Sequence, residues 1–154
     1  MSANPAIAIP NLLYRYAEAF DDGDFEGAAR LFDGGYLLAQ DERIEGVPAI
    51  LAMWQSWVHV YDGSPRTRHI TTNPIIELAP DGQSATCRSQ WTVLQQTEGY
   101  ALQIVGSGRY VDRFAVTDGE WHFTERNYAK IDFLGDTSAH MRRTPADTQA
   151  SKDD

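Results

Sequence analysis

Between Thr67 and Phe133 the chain is written as four long β-type segments: Thr67 to Leu78, Ser84 to Thr97, Tyr100 to Val116 and Glu120 to Phe133. The short gaps between them carry Pro80-Asp81-Gly82, Glu98-Gly99 and Asp118-Gly119, which are turn signals. A parallel pairing of neighbours needs a crossover of roughly a dozen residues or more, and no gap is that long. The four segments are therefore restricted to an antiparallel meander.

Ahead of the meander the apolar spacing turns helical. After Pro10-Asn11, residues Leu12, Leu13, Tyr16, Ala17 and Phe20 form the stripe of one buried helix face, and Gly23 ends it. A second short helix is expected from Phe25 to Phe32, then a break at Gly34-Gly35 and a short strand at Tyr36-Leu37-Leu38-Ala39. Gly46-Val47-Pro48 opens a third helix containing Ile50, Leu51, Trp54, Trp57 and Val58, which ends near Tyr61-Asp62-Gly63. Three helices followed by long antiparallel strands suggest an α+β layer, a curved antiparallel or mixed sheet wrapped around the three N-terminal helices and able to cup a pocket. With 154 residues, 42% of them hydrophobic, the chain buries one sizeable core and has no room for a second domain. The domain is expected over residues 1–141. Residues 142–154 are expected as a polar tail, mobile or lying on a neighbouring subunit.

Charge removes whole classes of partner. Thirteen Lys and Arg against 22 Asp and Glu give a net charge of −9, a field that repels nucleic-acid phosphates and anionic lipid. Neither nucleic acid nor membrane is an expected partner. No apolar run approaches the roughly 18 residues of a membrane span. The start Met1-Ser2-Ala3-Asn4-Pro5 has no basic region leading into an apolar one, and Cys87 is the lone cysteine, so a cytoplasmic location is the expectation. No phosphate loop, dinucleotide fingerprint or Gly-x-Ser-x-Gly elbow occurs, and no cofactor is expected. His59, His69, His122 and His140 share no metal-ligand spacing, and no metal site is expected.

Several polar residues fall where chemistry could use them. The first helix puts Asp21 at the edge of its apolar stripe and Asp22 on the far side. Either Asp21 approaches the interior, where a carboxylate must find a partner, or both aspartates simply end an exposed helix. His69 shares a strand face with Thr67 and Thr71, a polar face that lines a cavity or else holds a structural histidine. A buried Asp–His pair makes a general base: the carboxylate fixes the tautomer and stabilises the charge that forms as the ring takes a proton. On the strand from Tyr100, the even positions Leu102, Ile104, Gly106, Gly108, Tyr110, Asp112 and Phe114 share one face, and the glycines permit curvature or a ligand's close approach. If Trp121 and Phe123 pack one side of the last strand, alternation sends Arg126 and Tyr128 to the other. An inward Arg126 needs an anion, either an acidic side chain such as Asp21 or charge developing on a substrate; an outward one makes a surface pair. Trp54 and Trp57, about a turn apart, suit a core or an apolar pocket.

The run Tyr14-Arg15-Tyr16-Ala17-Glu18-Ala19-Phe20-Asp21-Asp22-Gly23-Asp24-Phe25 is joined by Thr67-Arg68-His69 with Asn73, Gly108-Arg109-Tyr110, Asp118-Gly119-Glu120-Trp121-His122-Phe123 and Leu134-Gly135-Asp136. Together they resemble the SnoaL-like branch of the nuclear transport factor 2-like superfamily, over about residues 6–141. The resemblance implies a cone-shaped α+β barrel around an apolar cavity. Within that superfamily the chain is most similar to the group of scytalone dehydratase, bile acid 7α-dehydratase and hexachlorocyclohexane dehydrochlorinase. These are cofactor-free lyases that pair an Asp near the end of the first helix with a strand His. Asp21 and His69 fall at the matching positions. Tyr16 matches a tyrosine of the bile acid enzyme, and Arg126 falls where the dehydrochlorinase has a pocket arginine.

What the resemblance implies is a cofactor-independent lyase that expels water or another small group from a hydrophobic alicyclic or aromatic substrate. His69 takes the proton, Asp21 orients it, Tyr16 bonds the leaving group or a carbonyl, and Arg126 steadies negative charge. Tyr110, Tyr128, Trp54 and Trp57 contact the substrate. An isomerase using the same dyad and a non-catalytic small-molecule binder stand beside this reading, since one fold hosts many functions. The second catalytic histidine of scytalone dehydratase has no counterpart in Arg88 to Thr97, which leaves leaving-group protonation to Tyr16 or Tyr110. The base of ketosteroid isomerase has only an imperfect match, Asp41, and the Arg-x-Asp element of limonene epoxide hydrolase is missing. By the same resemblance, a homodimer or homotrimer is expected.

Overall fold

The computed structural model describes residues 2–143; the expectation for the tail from Thr144 onward lies outside them. Helices α1 (Pro5–Asp21) and α2 (Phe25–Arg30) precede strands β1 (Tyr36–Ala39) and β2 (Glu42–Glu45) and helix α3 (Val47–Trp57). The meander follows as β3 (Thr67–Leu78), β4 (Ser84–Thr97), β5 (Tyr100–Thr117) and β6 (Glu120–Leu134). One six-stranded sheet has the order β2-β1-β6-β5-β4-β3. The meander pairs are antiparallel, while β1 joins β6 in parallel and makes the sheet mixed. β2 and β3 are its two edges, so the strands form an open curved sheet and no closed barrel.

The curvature has identifiable causes. Against β5, strand β6 carries an extra residue at each of its register shifts, opposite Arg113/Phe114, Arg109/Val111 and Ser107/Gly108. β5 carries one against β4 at Val105, and β3 one at Asn73-Pro74, a place where a proline without an N–H does no harm. Each bulge bends its strand and adds twist. The concave face packs on Leu13, Tyr16 and Phe20 of α1, on Ala28, Ala29 and Phe32, and on Ile50 and Trp54 of α3, which with Leu37, Phe114 and Phe123 form the core.

Bulges also overturn two expectations drawn from strict alternation. The extra residue near Thr124 brings Arg126 back to the side of Phe123, its guanidinium 5.1 Å from that ring, so the two face the same way. Val105, not Leu102 or Ile104, faces inward: Val105 is buried, while Leu102 and Ile104 are exposed. Local signals shifted other boundaries. α1 begins a turn and a half before Pro10, because Asn4 accepts from the Ala6 N–H at 3.0 Å and Pro5 sits in the first turn, a better start signal than Pro10-Asn11. Pro10 then lies inside the helix, where the carbonyl it leaves free belongs to exposed Ala6. Strand β2 reads Glu42-Arg43-Ile44-Glu45 and has no apolar alternation to announce it. It exists because Gln40 and Asp41 both take positive φ, 51° and 65°, in a two-residue hairpin turn.

Candidate functional site

The end of α1 is clasped to the start of β3. Gly23 has φ +82°, and a Cβ there would stand 1.9 Å from the Gly63 carbonyl oxygen. Ser64 Oγ donates to the Asp21 carbonyl at 3.0 Å. Three residues on, β3 begins and presents Thr67 and His69 to the Asp21 side chain. Gly23→Ala is expected to cost about 1–2 kcal/mol in left-handed strain alone, with the collision added, and to lower the melting temperature by roughly 5 °C or more. Thermal denaturation followed by circular dichroism checks this.

Asp21 and His69 meet as a buried pair, their side chains 7% and 8% exposed. Asp21 Oδ1 lies 2.6 Å from His69 Nδ1 and accepts from Thr67 Oγ1 at 2.7 Å; Oδ2 accepts from the His69 backbone N–H at 2.7 Å. Burial pushes the Asp21 carboxyl upward, but the bond and charge of the His69 ring, the His69 N–H and the Thr67 hydroxyl outweigh it and hold the group below the usual carboxylate range. An ionised Asp21 takes the Nδ1 proton as its donor, which leaves Nε2 with the lone pair. Phe20 and Tyr16 pack edge-on against the ring, centroids 5.2 and 6.4 Å away.

His69 borders a cavity of about 380 Å³, within the ~300–1,000 Å³ common for small-molecule sites. Tyr16, Trp54, Trp57, Tyr110 and Tyr128, the residues expected beside a substrate, all line it, together with Phe20, Trp91, Val93 and Val105. Tyr16 Oη and Tyr128 Oη are 3.0 Å apart, and Trp54 Nε1 donates to Tyr128 Oη at 3.3 Å. Burial raises the pKa of all three cavity tyrosines, Tyr16 most plainly, so they stand as neutral phenols at ordinary pH. At rest they keep their protons and act as hydrogen-bond donors, not as bases.

Arg126 is placed otherwise than expected. Its anion is Asp112, not Asp21: Nε and Nη2 donate to the two carboxylate oxygens at 2.9 and 2.8 Å, and both side chains are fully buried. The guanidinium lies 4.4 Å from the Tyr16 ring centre and 4.0 Å from that of Tyr110, and it does not line the cavity. Burial works against its charge, but the Asp112 carboxylate holds the proton more firmly than on a free guanidinium. Such an arginine supports the tyrosines from behind and is not exposed to charge on a substrate. Burial also pushes the Cys87 thiol up to about 12, which makes it no nucleophile at neutral pH. Among the described residues no group of three or more His, Cys, Asp or Glu gathers in a way that could hold a metal ion, and no helix is long and apolar enough to cross a membrane.

Two polar-tipped cavity residues, Trp91 and His140, are among those missed in the sequence. Trp91 lies across the two glycines of β5: a Cβ on Gly108 would meet its indole at 2.6 Å and the Lys130 carbonyl at 2.1 Å. Gly108 therefore admits the tryptophan, while Gly106 lines the cavity. His140, named in the sequence only for lacking a metal-ligand spacing, lines the same cavity as His69 and is only 9% exposed. Burial first, then the neighbouring His69, lowers its pKa to about 4. Since an unfolded histidine has a pKa near 6.5, the unfolded chain binds the extra proton between those values, and stability falls as pH drops from about 6.5 to 4. At ~1.4 kcal/mol per pKa unit the loss is about 3 kcal/mol. Urea titrations across this range should show that slope in the native protein and a shallower one in His140→Phe.

A helix-backed, bulged sheet with an enclosed polar dyad and an apolar cavity defines the cystatin-like, nuclear transport factor 2-like class of α+β domain. The profile of the SnoaL-like domain matches residues 6–127, and the chain belongs to that family, which contains polyketide cyclases and dehydratases. Among solved structures it is similar to Rv3472 of Mycobacterium tuberculosis, a protein of unknown function, with 30% identity over 84% of this chain and 72% of that one, TM-score 0.67. A proposed scytalone dehydratase from Novosphingobium aromaticivorans shares 21% identity over 84% and 85% of the two chains, TM-score 0.65. ActVI-ORFA from Streptomyces coelicolor shares 19% over 80% and 95%, TM-score 0.64. The last two show likeness of fold alone. No curated protein matches the chain.

Proposed function

We propose that this protein is a cofactor-independent lyase that eliminates water or a comparable small group from an apolar cyclic substrate. The observation that carries the reading is the 2.6 Å hydrogen bond between buried Asp21 and His69, the residue of the pair that lines the cavity. His69 Nε2 accepts the proton from substrate carbon while the electrons of that C–H bond form the new double bond. The leaving oxygen departs with its bonding pair and takes a proton from a neutral phenol of the Tyr16–Tyr128 pair, leaving as water. The proton on His69 then returns to the phenolate, and the site is restored. Asp21 balances the imidazolium in between, and the Arg126 cation behind Tyr16 steadies the phenolate.

Incubating the protein with hydroxylated and halogenated cyclic compounds, followed by mass spectrometry of the products, tests the proposal. Loss of the mass of water or hydrogen halide is the expected result. Products of unchanged mass would make the dyad an isomerase base, and no turnover across the panel at any pH would leave a binder.

A further inference from the structure

His140 has no part in the elimination just described, yet it is held as firmly as the dyad. Its carbonyl accepts from the His59 N–H at 2.9 Å, and its N–H donates to the Thr137 carbonyl at 2.9 Å. The carbonyl of Ala139 next to it accepts from both Tyr61 Oη and Gln95 Nε2, and Met141 bridges to Val58 at the end of α3. Side-chain and backbone bonds from α3, β4 and the α3–β3 loop thus fix the segment 137–141 over the cavity. Within this rigid frame the ring carries an unsatisfied atom: Nδ1 is buried and has no hydrogen-bond partner. The indole Nε1 of Trp91, another lining residue, is in the same condition. A buried polar atom without a partner costs about 1–3 kcal/mol, and such atoms are rare in native proteins unless something else completes them.

We propose that the His140 ring is the polar anchor of the cavity, hydrogen-bonded to a hydroxyl or carbonyl oxygen on an otherwise apolar ring compound. The proposal deepens the lyase reading and rests on it for the cavity being a substrate site. The dyad is not free for this role, because His69 Nδ1 is committed to Asp21 and Nε2 to the reacting proton. The Tyr16–Tyr128 pair, in which one hydroxyl donates to the other, is taken up with the leaving oxygen in that reading. With its pKa lowered to about 4, His140 stays neutral at pH 7 and offers one N–H and one lone pair. A neutral imidazole of this kind donates to an oxygen without placing a charge in the apolar cavity. It fits a hydroxyl or carbonyl and discriminates against the plain hydrocarbon, which would leave the ring unsatisfied.

Equilibrium dialysis with 2-naphthol and naphthalene, which differ by that oxygen, tests the assignment without needing turnover. The native protein is expected to bind 2-naphthol about tenfold tighter. His140→Phe should abolish the difference while changing naphthalene affinity less than twofold, and His140→Gln should recover most of it. Nitrogen NMR of the labelled native protein covers the case in which a variant fails to fold: 2-naphthol must move the His140 ring resonances and naphthalene must not. Equal binding of the two compounds, binding of neither, a preference that survives in His140→Phe, or unmoved ring resonances would overturn the proposal. An absence of turnover with every compound, by contrast, overturns the lyase reading and leaves the naphthol preference to be judged on its own.

Discussion

His69→Ala is expected to reduce turnover of whichever cyclic substrate the protein accepts by about 10²- to 10⁴-fold, the usual contribution of a positioned general base. Asp21→Asn should lose a comparable factor for a different reason. The carboxylate accepts three hydrogen bonds, from the His69 ring, the His69 backbone N–H and Thr67 Oγ1. An amide has one oxygen to offer and an NH2 group that cannot accept, so it either breaks the clasp or forces the ring into the other tautomer, with its proton on the nitrogen meant to be the base. Asp21→Asn also removes the negative charge that balances the imidazolium. The double variant should therefore fall little further than the worse of the two singles, since both groups act as one unit. Turnover numbers under saturating substrate, with circular dichroism showing the fold intact, make the comparison. Singles whose losses multiply in the double would separate the residues and remove the dyad from the mechanism.

The features that proved readable in the sequence are those governed by local rules. Strand β3 ends, and β4 starts and ends, where the turn signals mark, because the glycines at 82 and 99 take φ of +68° and +77°, a region that favours glycine. Asp21 and His69 were legible as candidates because a helical stripe and a two-residue alternation, each intact over its own short stretch, allowed both to face inward, and the family resemblance singled them out as a pair. The partner of Arg126 was not readable, for a countable reason. Thr117 pairs with Glu120, so counting back from that turn sets Asp112 opposite Glu125; the extra residue on β6 puts Arg126 there instead. A bulge has no side-chain signature here, and every alternation argument that crosses one inverts. His140 was hidden differently: its position depends on long-range bonds to His59, Tyr61 and Gln95, and no local periodicity records these.

The Arg126–Asp112 pair supplies the other large effect. Arg126→Met removes a guanidinium that is 0% exposed and leaves the Asp112 carboxylate equally buried with no cation to answer it. Breaking a buried ion pair from one side typically costs about 3–5 kcal/mol, most of it the penalty of the charge left behind. Urea unfolding of Arg126→Met should show a loss of that order. Adding Asp112→Leu removes the stranded charge, and the double variant should regain most of the stability, because a methionine and a leucine can fill the space among Tyr16, Tyr110 and Phe123 with apolar contacts. A loss below about 1 kcal/mol in the single variant, or no recovery in the double, would contradict this account of the pair. The recovered protein then separates packing from electrostatics at the site. Its tyrosines keep apolar support but lose the cation 4.4 Å from the Tyr16 ring. If Arg126 steadies a transient phenolate, the double variant should fold well and turn over slowly. If its purpose is only to fill and bind the core, turnover should return together with stability.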